Sequence, residues 1–135
     1  MKIILLFSFL FGSVFMIKEQ AFENTVVAKM TYAQAVSIAK QNNKAIMLKL
    51  TADNCKYCIK MDKEVLEDNE VKQLLNANFI TVSINVDKED LPLNLKRTTT
   101  PTFIFVDKNE KITSKLPGSW DKKDFIDLLN NRIKI

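Results

Sequence analysis

The chain of 135 residues has no histidine and only two cysteines. A tetrahedral zinc site would therefore find two thiolates here and would need carboxylates or a partner chain to close it. Glycine and proline are scarce too, 2 and 3 residues, so the turns must rest on Asn, Asp and Lys. No Gly/Ser linker, low-complexity tract or internal repeat divides the chain, and its length suits one domain plus a short appendage. No basic run with interleaved aromatics occurs. Lysines alternate with acids and the net charge is +4, which argues against a nucleic-acid partner. The uncharged run Ile3–Ile17 is shorter than the roughly 20 apolar residues of a membrane span.

Hydrophobic residues at 47% and charged residues at 27% are enough for a packed core. The N-terminus has the layout of a secretory signal: Met1-Lys2, the apolar run, then Lys18 and Glu19. A cut after Ala21 would leave Glu19 at the third position upstream, a poor cleavage context. The alternative is an uncleaved membrane anchor through residues 3–17. The expected division is a signal peptide or N-terminal anchor over 1–21 and one domain over 22–135, with export to the periplasm as the expected destination.

Past a leader over residues 22–30, Thr31 can cap a helix in which Tyr32, Ala35, Val36 and Ala39 recur at helical spacing up to Gln41-Asn42-Asn43. Ala45–Thr51 is almost continuously apolar, the pattern of a strand buried on both faces. Cys58, Met61 and Val65 share a helical face, and after a break at Asp68-Asn69 a second set follows at Val71, Leu74 and Leu75. Phe79–Val86 reads as a second strand and Leu91–Lys96 as a short helix with Pro92 in its first turn. Pro101–Val106 and Lys111–Leu116 flank a turn at Asp107–Glu110 and read as an antiparallel pair. Phe125, Leu128 and Leu129 lie on one face of a last helix capped by Asp121. The strand–helix–strand unit implies a parallel crossover and the late hairpin adds antiparallel strands, so the sheet should be mixed, with helices on both faces.

Both cysteines fall in the run Cys55-Lys56-Tyr57-Cys58, where a strand gives way to a helix. There the unpaired N–H groups of a first helical turn stabilise a thiolate at Cys55, and Cys58, about one turn on, faces back and can attack a mixed disulfide formed at Cys55. Lys56 and Lys60 add positive charge. Three other uses stay open: a static disulfide, which would restrain so short a loop only slightly; copper(I) held by the two thiolates and Met61; and zinc completed from outside.

Ala45–Thr51, the Cys55–Cys58 turn, the helix through Lys60-Met61, Phe79–Val86 and Thr100-Pro101-Thr102-Phe103 together resemble a thioredoxin-fold protein. The likeness extends over roughly residues 30–135 and is nearest to exported thioredoxin-like proteins and to the C-terminal domain of the periplasmic thiol:disulfide interchange reductase. It implies an α/β fold, a three-layer α/β/α sandwich with a central mixed sheet of four to five strands. It also implies Cys55 as the attacking thiol, Cys58 as the resolving thiol, Pro101 as a cis-proline beside the disulfide, and Thr100 offering its backbone to a substrate strand. Lys56 and Tyr57 flank the reacting sulfurs as support, and Gly118 matches a close-approach glycine. No cofactor is implied beyond the redox-active Cys55–Cys58 disulfide. The implied partners are protein thiols and disulfides with an upstream electron donor or acceptor, and the expected state is a monomer. Two departures stand out. Lys49 takes the place of the family's buried acid, either reaching solvent, pairing with an acid such as Glu64 or Asp87, or serving as a neutral base. Asn54 takes the place of the tryptophan before the first cysteine, with Trp120 as either a substitute wall or a closure of the final helix onto the sheet. The reading favours a reductase of exported protein disulfides. An oxidant or isomerase using the same pair, a binding module for copper(I) or a protein, and a structural subunit are the alternatives.

Overall fold

The computed structural model describes residues 29–133. The signal or anchor segment 1–21 and residues 22–28 of the leader lie outside the described residues. The elements are α1 (Tyr32–Asn42), β1 (Ala45–Thr51), α2 (Lys56–Met61) running on into a π-helical turn (Asp62–Leu66), α3 (Asn69–Asn78), β2 (Phe79–Asn85), β3 (Thr102–Val106), β4 (Ile112–Pro117) and α4 (Lys122–Ile133).

Short polar side chains set the helix starts. Thr31 and Gln34 form a reciprocal capping box at α1, with Gln34 N–H on Thr31 Oγ1 at 3.3 Å and Thr31 N–H on Gln34 Oε1 at 2.8 Å. The break at Asp68-Asn69 is a cap: Asp68 Oδ1 accepts from the N–H groups of Glu70 and Val71 at 3.0 and 3.3 Å. Asp121 serves α4 in the same way, accepting from Asp124 N–H at 2.9 Å.

The four strands lie in the order β2-β1-β3-β4, with β1 parallel to β2 and antiparallel to β3, and β3 antiparallel to β4. Five consecutive residues of β1 are buried, as expected of a central strand covered on both faces. Alternation along it sends Met47 into a core roofed by α2, α3 and α4 with Phe103, Phe105 and Phe125, and sends Ile46, Leu48 and Leu50 into a second core under α1 with Val82, Ile84 and Ile104. These two cores on opposite faces make the three layers. The outermost strand β4 alternates between half-buried and exposed residues and carries Lys115 and Pro117 outward, features that discourage edge pairing.

The short helix expected over Leu91–Lys96 does not form. Leu93 and Asn94 take left-handed φ values of 57° and 53°, which end any helix there, and a single Leu95 N–H bond to Pro92 C=O at 3.1 Å remains. The reason is spacing: Leu91, Leu93 and Leu95 repeat every second residue and all three turn onto the core under α1. Strand ends shift by a residue. β2 stops at Asn85, whose Oδ1 takes the Asp87 N–H at 2.9 Å and bends the chain, and β4 starts at Ile112 because the Lys111 N–H is engaged by Asp107 Oδ1 at 2.9 Å.

Candidate active site

β1 delivers the chain to a tight turn, Ala52–Asn54, in which Asn54 has a left-handed φ of 55°. Among residues with a side chain, Asn tolerates that region well because its short amide bonds locally, whereas an aromatic there would be strained. Asn54 suits this backbone. The turn is tied to the neighbouring strand end: Asp53 N–H donates to Asp87 Oδ2 at 2.8 Å, and Asp53 Oδ1 accepts from Asn85 Nδ2 and Lys88 Nζ, each at 2.8 Å. Hydrogen bonding from Lys88, then Asn85, lowers the Asp53 pKa. That of Asp87 is lowered first by the Asp53 N–H and then by Arg97.

Cys55 follows as the N-cap of α2. Its Sγ accepts the Cys58 N–H at 3.1 Å, and the Thr100 hydroxyl points at the same sulfur from 3.4 Å. Cys55 is half-buried and Cys58 is 3% exposed, and the two are joined in a disulfide. The Thr100–Pro101 peptide is cis. Pro101 is buried, its C=O accepts the Gly118 N–H at 2.8 Å, and Thr102 Oγ1 donates to Thr99 C=O at 2.6 Å, so the loop from Thr99 to Thr102 is held from both sides. Lys56 and Tyr57 stand out in solvent on the rim, Tyr57 at 67% exposure, with Ile59 beside them also exposed.

Two expectations change and a third narrows. Gly118 is not required by a close approach, since a Cβ there would meet nothing within 4 Å; its φ of 97° is what requires glycine. Lys49, 9% exposed, pairs with neither Glu64 nor Asp87 but with Asp62. Glu64 instead meets Lys60 at 3.8 Å, and Asp87 is taken by Arg97. Asp62 lies four residues after Cys58 and so one turn along the same helix side, which is the signal in the sequence that points to it. Of the two roles open to Trp120, its packing is that of a closure: it lies against the core under α4 and its backbone N–H meets Met61 Sδ at 3.4 Å. Met61, the third donor of the copper(I) alternative, is fully buried in that core. Among the described residues no three Cys, Asp or Glu side chains cluster as metal ligands.

The family model described as a thioredoxin-like domain matches residues 32–133. The chain belongs to this thioredoxin-like family. Anterior gradient protein 3 of Mus musculus is 23% identical over 93 residues, 69% of this chain and 56% of that protein. The thiol:disulfide interchange protein DsbD of Yersinia pestis is 30% identical over 111 residues, 78% of this chain and 18% of DsbD. The chain thus spans little more than half of the one relative and a fifth or less of the other. A thioredoxin from Thermus thermophilus superposes with a TM-score of 0.67 at 30% identity, covering 75% of this chain and 82% of that one. The four-stranded mixed sheet between helical layers is accordingly the thioredoxin fold, and its Cys-x-x-Cys pair is that of a thioredoxin-like disulfide oxidoreductase fold.

Sequence reasoning missed the Asp53–Asn85–Asp87 clamp on the active-site turn and the Asp62 partner of Lys49. The first joins residues 32 and 34 positions apart, the second two residues 13 apart on successive elements.

Proposed function

We propose that this chain is an exported thiol:disulfide oxidoreductase that reduces protein disulfides, acting as a monomer or tethered by its N-terminal segment. One observation carries the reading: Cys55 is the more exposed, half-buried sulfur, with two donors, the Cys58 N–H and the Thr100 hydroxyl, aimed at it, while Cys58 is enclosed behind it. Donors aimed at a sulfur favour its thiolate, and exposure lets that thiolate reach a substrate.

In the reduced protein the Cys55 thiolate attacks one sulfur of a substrate disulfide. The Cys55–substrate S–S bond forms as the substrate's own S–S bond breaks, and the departing thiolate takes a proton from water. Cys58 then yields its proton to solvent and attacks Cys55 Sγ, which closes the Cys55–Cys58 disulfide and expels the second substrate thiolate, protonated in turn. The substrate gains two electrons and two protons, and an upstream dithiol donor restores them to the pair by the same exchange in reverse. Thr100 and Pro101 form the edge along which the substrate strand lies.

The likeness to DsbD, an interchange protein by name, supports the reductive direction, as does the direct passage from β1 to β2 through α2 and α3 without an inserted helical domain. Lys56, exposed and screened by water, pulls only weakly the other way. The test pairs variants with a potential. Cys55→Ser should abolish reduction of a protein disulfide and Cys58→Ser should trap the mixed disulfide. The wild-type pair, equilibrated against glutathione, should sit near the about −270 mV of thioredoxin; a value near the about −120 mV of strong oxidants reverses the direction. Retained activity in Cys55→Ser sinks the mechanism.

A further inference from the structure

Because Leu91–Lys96 forms no helix, the outer half of the sheet face under α1 is only partly roofed. The chain crosses it as a loop, seating Leu93 and Leu95 and leaving a cleft of about 430 Å³ over Ile104 and Ile112. That volume lies within the range of about 300–1,000 Å³ typical of ligand sites.

The rim of the cleft has one sign. Lys96, Arg97 and Lys115 line it, and no carboxylate does. Arg97 is spent locally, on Asp87 and on the Val86 carbonyl at 3.3 Å. Lys96 and Lys115 are exposed and make no ion pair among the described residues. An apolar floor beneath two free ammonium groups fits a ligand that carries an apolar side chain beside carboxylates.

The cleft lies beside the loop that carries the cis-proline, although neither Pro101 nor a cysteine lines it. Thr102 and Pro117 close one end of it. Thr102 follows Pro101, and Pro117 precedes Gly118, whose N–H holds the Pro101 carbonyl. One residue before Pro101, Thr100 touches Cys55 Sγ. A chain that presents a disulfide to Cys55 along Pro101 is one residue of β3 from this opening and can reach it with its flanking residues.

The geometry points to a substrate-recognition site: the cleft receives an acidic segment of the substrate protein, next to its disulfide, with an apolar residue seated on Leu93 and Ile112 and carboxylates held by Lys96 and Lys115. This rests on the proposed disulfide exchange at Cys55 and adds to it the class of protein acted on.

The experiment uses the full chain and two synthetic peptides with the same disulfide-closed loop, one extended by leucine and aspartates, the other by leucine and lysines. A small neutral disulfide, hydroxyethyl disulfide, serves as the reference substrate. With dithiothreitol supplied to re-reduce the Cys55–Cys58 disulfide and its direct rate subtracted, the wild-type protein should reduce the acidic peptide with a kcat/KM about tenfold above the basic one, the gap narrowing as salt rises. Replacing the leucine of the acidic peptide by asparagine should raise its KM. The Lys96→Glu/Lys115→Glu variant, altered only at exposed positions, should reverse the preference. Equal rates for the two peptides in wild type, or a preference untouched by the double substitution, overturn the cleft if hydroxyethyl disulfide is still reduced. Failure on hydroxyethyl disulfide as well overturns the oxidoreductase reading itself.

Discussion

At the scale of single residues, the active-site turn depends on backbone conformation as much as on the sulfurs. Asn54 must hold φ at 55° for β1 to hand over to the N-cap at Cys55 within three residues. Asn54→Gly should therefore change stability by no more than a few tenths of a kcal/mol. Asn54→Val, β-branched and averse to positive φ, should lose about 1–2 kcal/mol in urea denaturation. The pair of cysteines was legible in the sequence because adjacency in the chain places both sulfurs together. The Thr100 hydroxyl on Cys55 was not, since 45 residues separate them and only the sheet brings them to 3.4 Å.

Between elements, the link that most departs from expectation is Lys49 on β1 with Asp62 on the π turn after α2. The Lys49 side chain is 11% exposed and that of Asp62 is 39% exposed, so the cation is the buried member of the pair. Removing Asp62 leaves that ammonium without its counter-charge. Asp62→Ala should destabilise by about 2 kcal/mol, less than the 3–5 kcal/mol of a fully buried pair because water reaches the site. Lys49→Met removes the charge and keeps an apolar stem, and should stay within about 1 kcal/mol of wild type. Combined with Asp62→Ala it should recover most of the loss. Urea denaturation of the three variants checks the order, and a larger loss from Lys49→Met than from Asp62→Ala contradicts it. The sequence showed a lysine at a core position of β1 but not its partner. Asp62 itself keeps the helical register of α2, its N–H bonding the Cys58 carbonyl, so its place one turn on was readable and only its meeting with Lys49 needed the fold.

Across the whole molecule, charge pairs tie loops at the strand ends to one another and the α3 cap to the start of α4. Asp53, Asp68, Asp87 and Glu89 all have lowered pKa values. Lys88 is the main cause for Asp53, Lys122 for Asp68, the Asp53 N–H for Asp87 and Lys29 for Glu89. Such carboxylates bind protons less tightly folded than unfolded. Their contribution is complete above the unfolded values near about 4 and is lost as pH falls through the lower folded ones. Tyr32 behaves oppositely. Burial first, then Glu110, push its phenol from 10.0 up to about 12, so its contribution is complete below about pH 10 and is lost as pH rises toward 12. The thermal midpoint followed by circular dichroism should therefore fall below about pH 4 and again above about pH 10. Asp53→Asn should flatten the acid limb and Tyr32→Phe the alkaline one.

Local periodicity and capping determined much of this protein. Thr31 and Asp121 as helix caps, β1 as a strand buried on both faces, the parallel crossover and the late hairpin were all readable. Each follows from side chains close in sequence acting on their own backbone or alternating between two faces. The reacting pair was readable for the same reason. Tertiary structure alone decided the rest. Packing of Leu91, Leu93 and Leu95 onto the sheet overrode the helix expected there and opened the cleft beside Pro101. The resemblance placed Thr100 and Pro101 beside the disulfide, but only the fold aimed the Thr100 hydroxyl at Cys55 Sγ, set Gly118 N–H on Pro101 and brought Asp62 to Lys49. Those outcomes depend on contacts between distant segments, whose free energy exceeds local preference only once the two cores have formed.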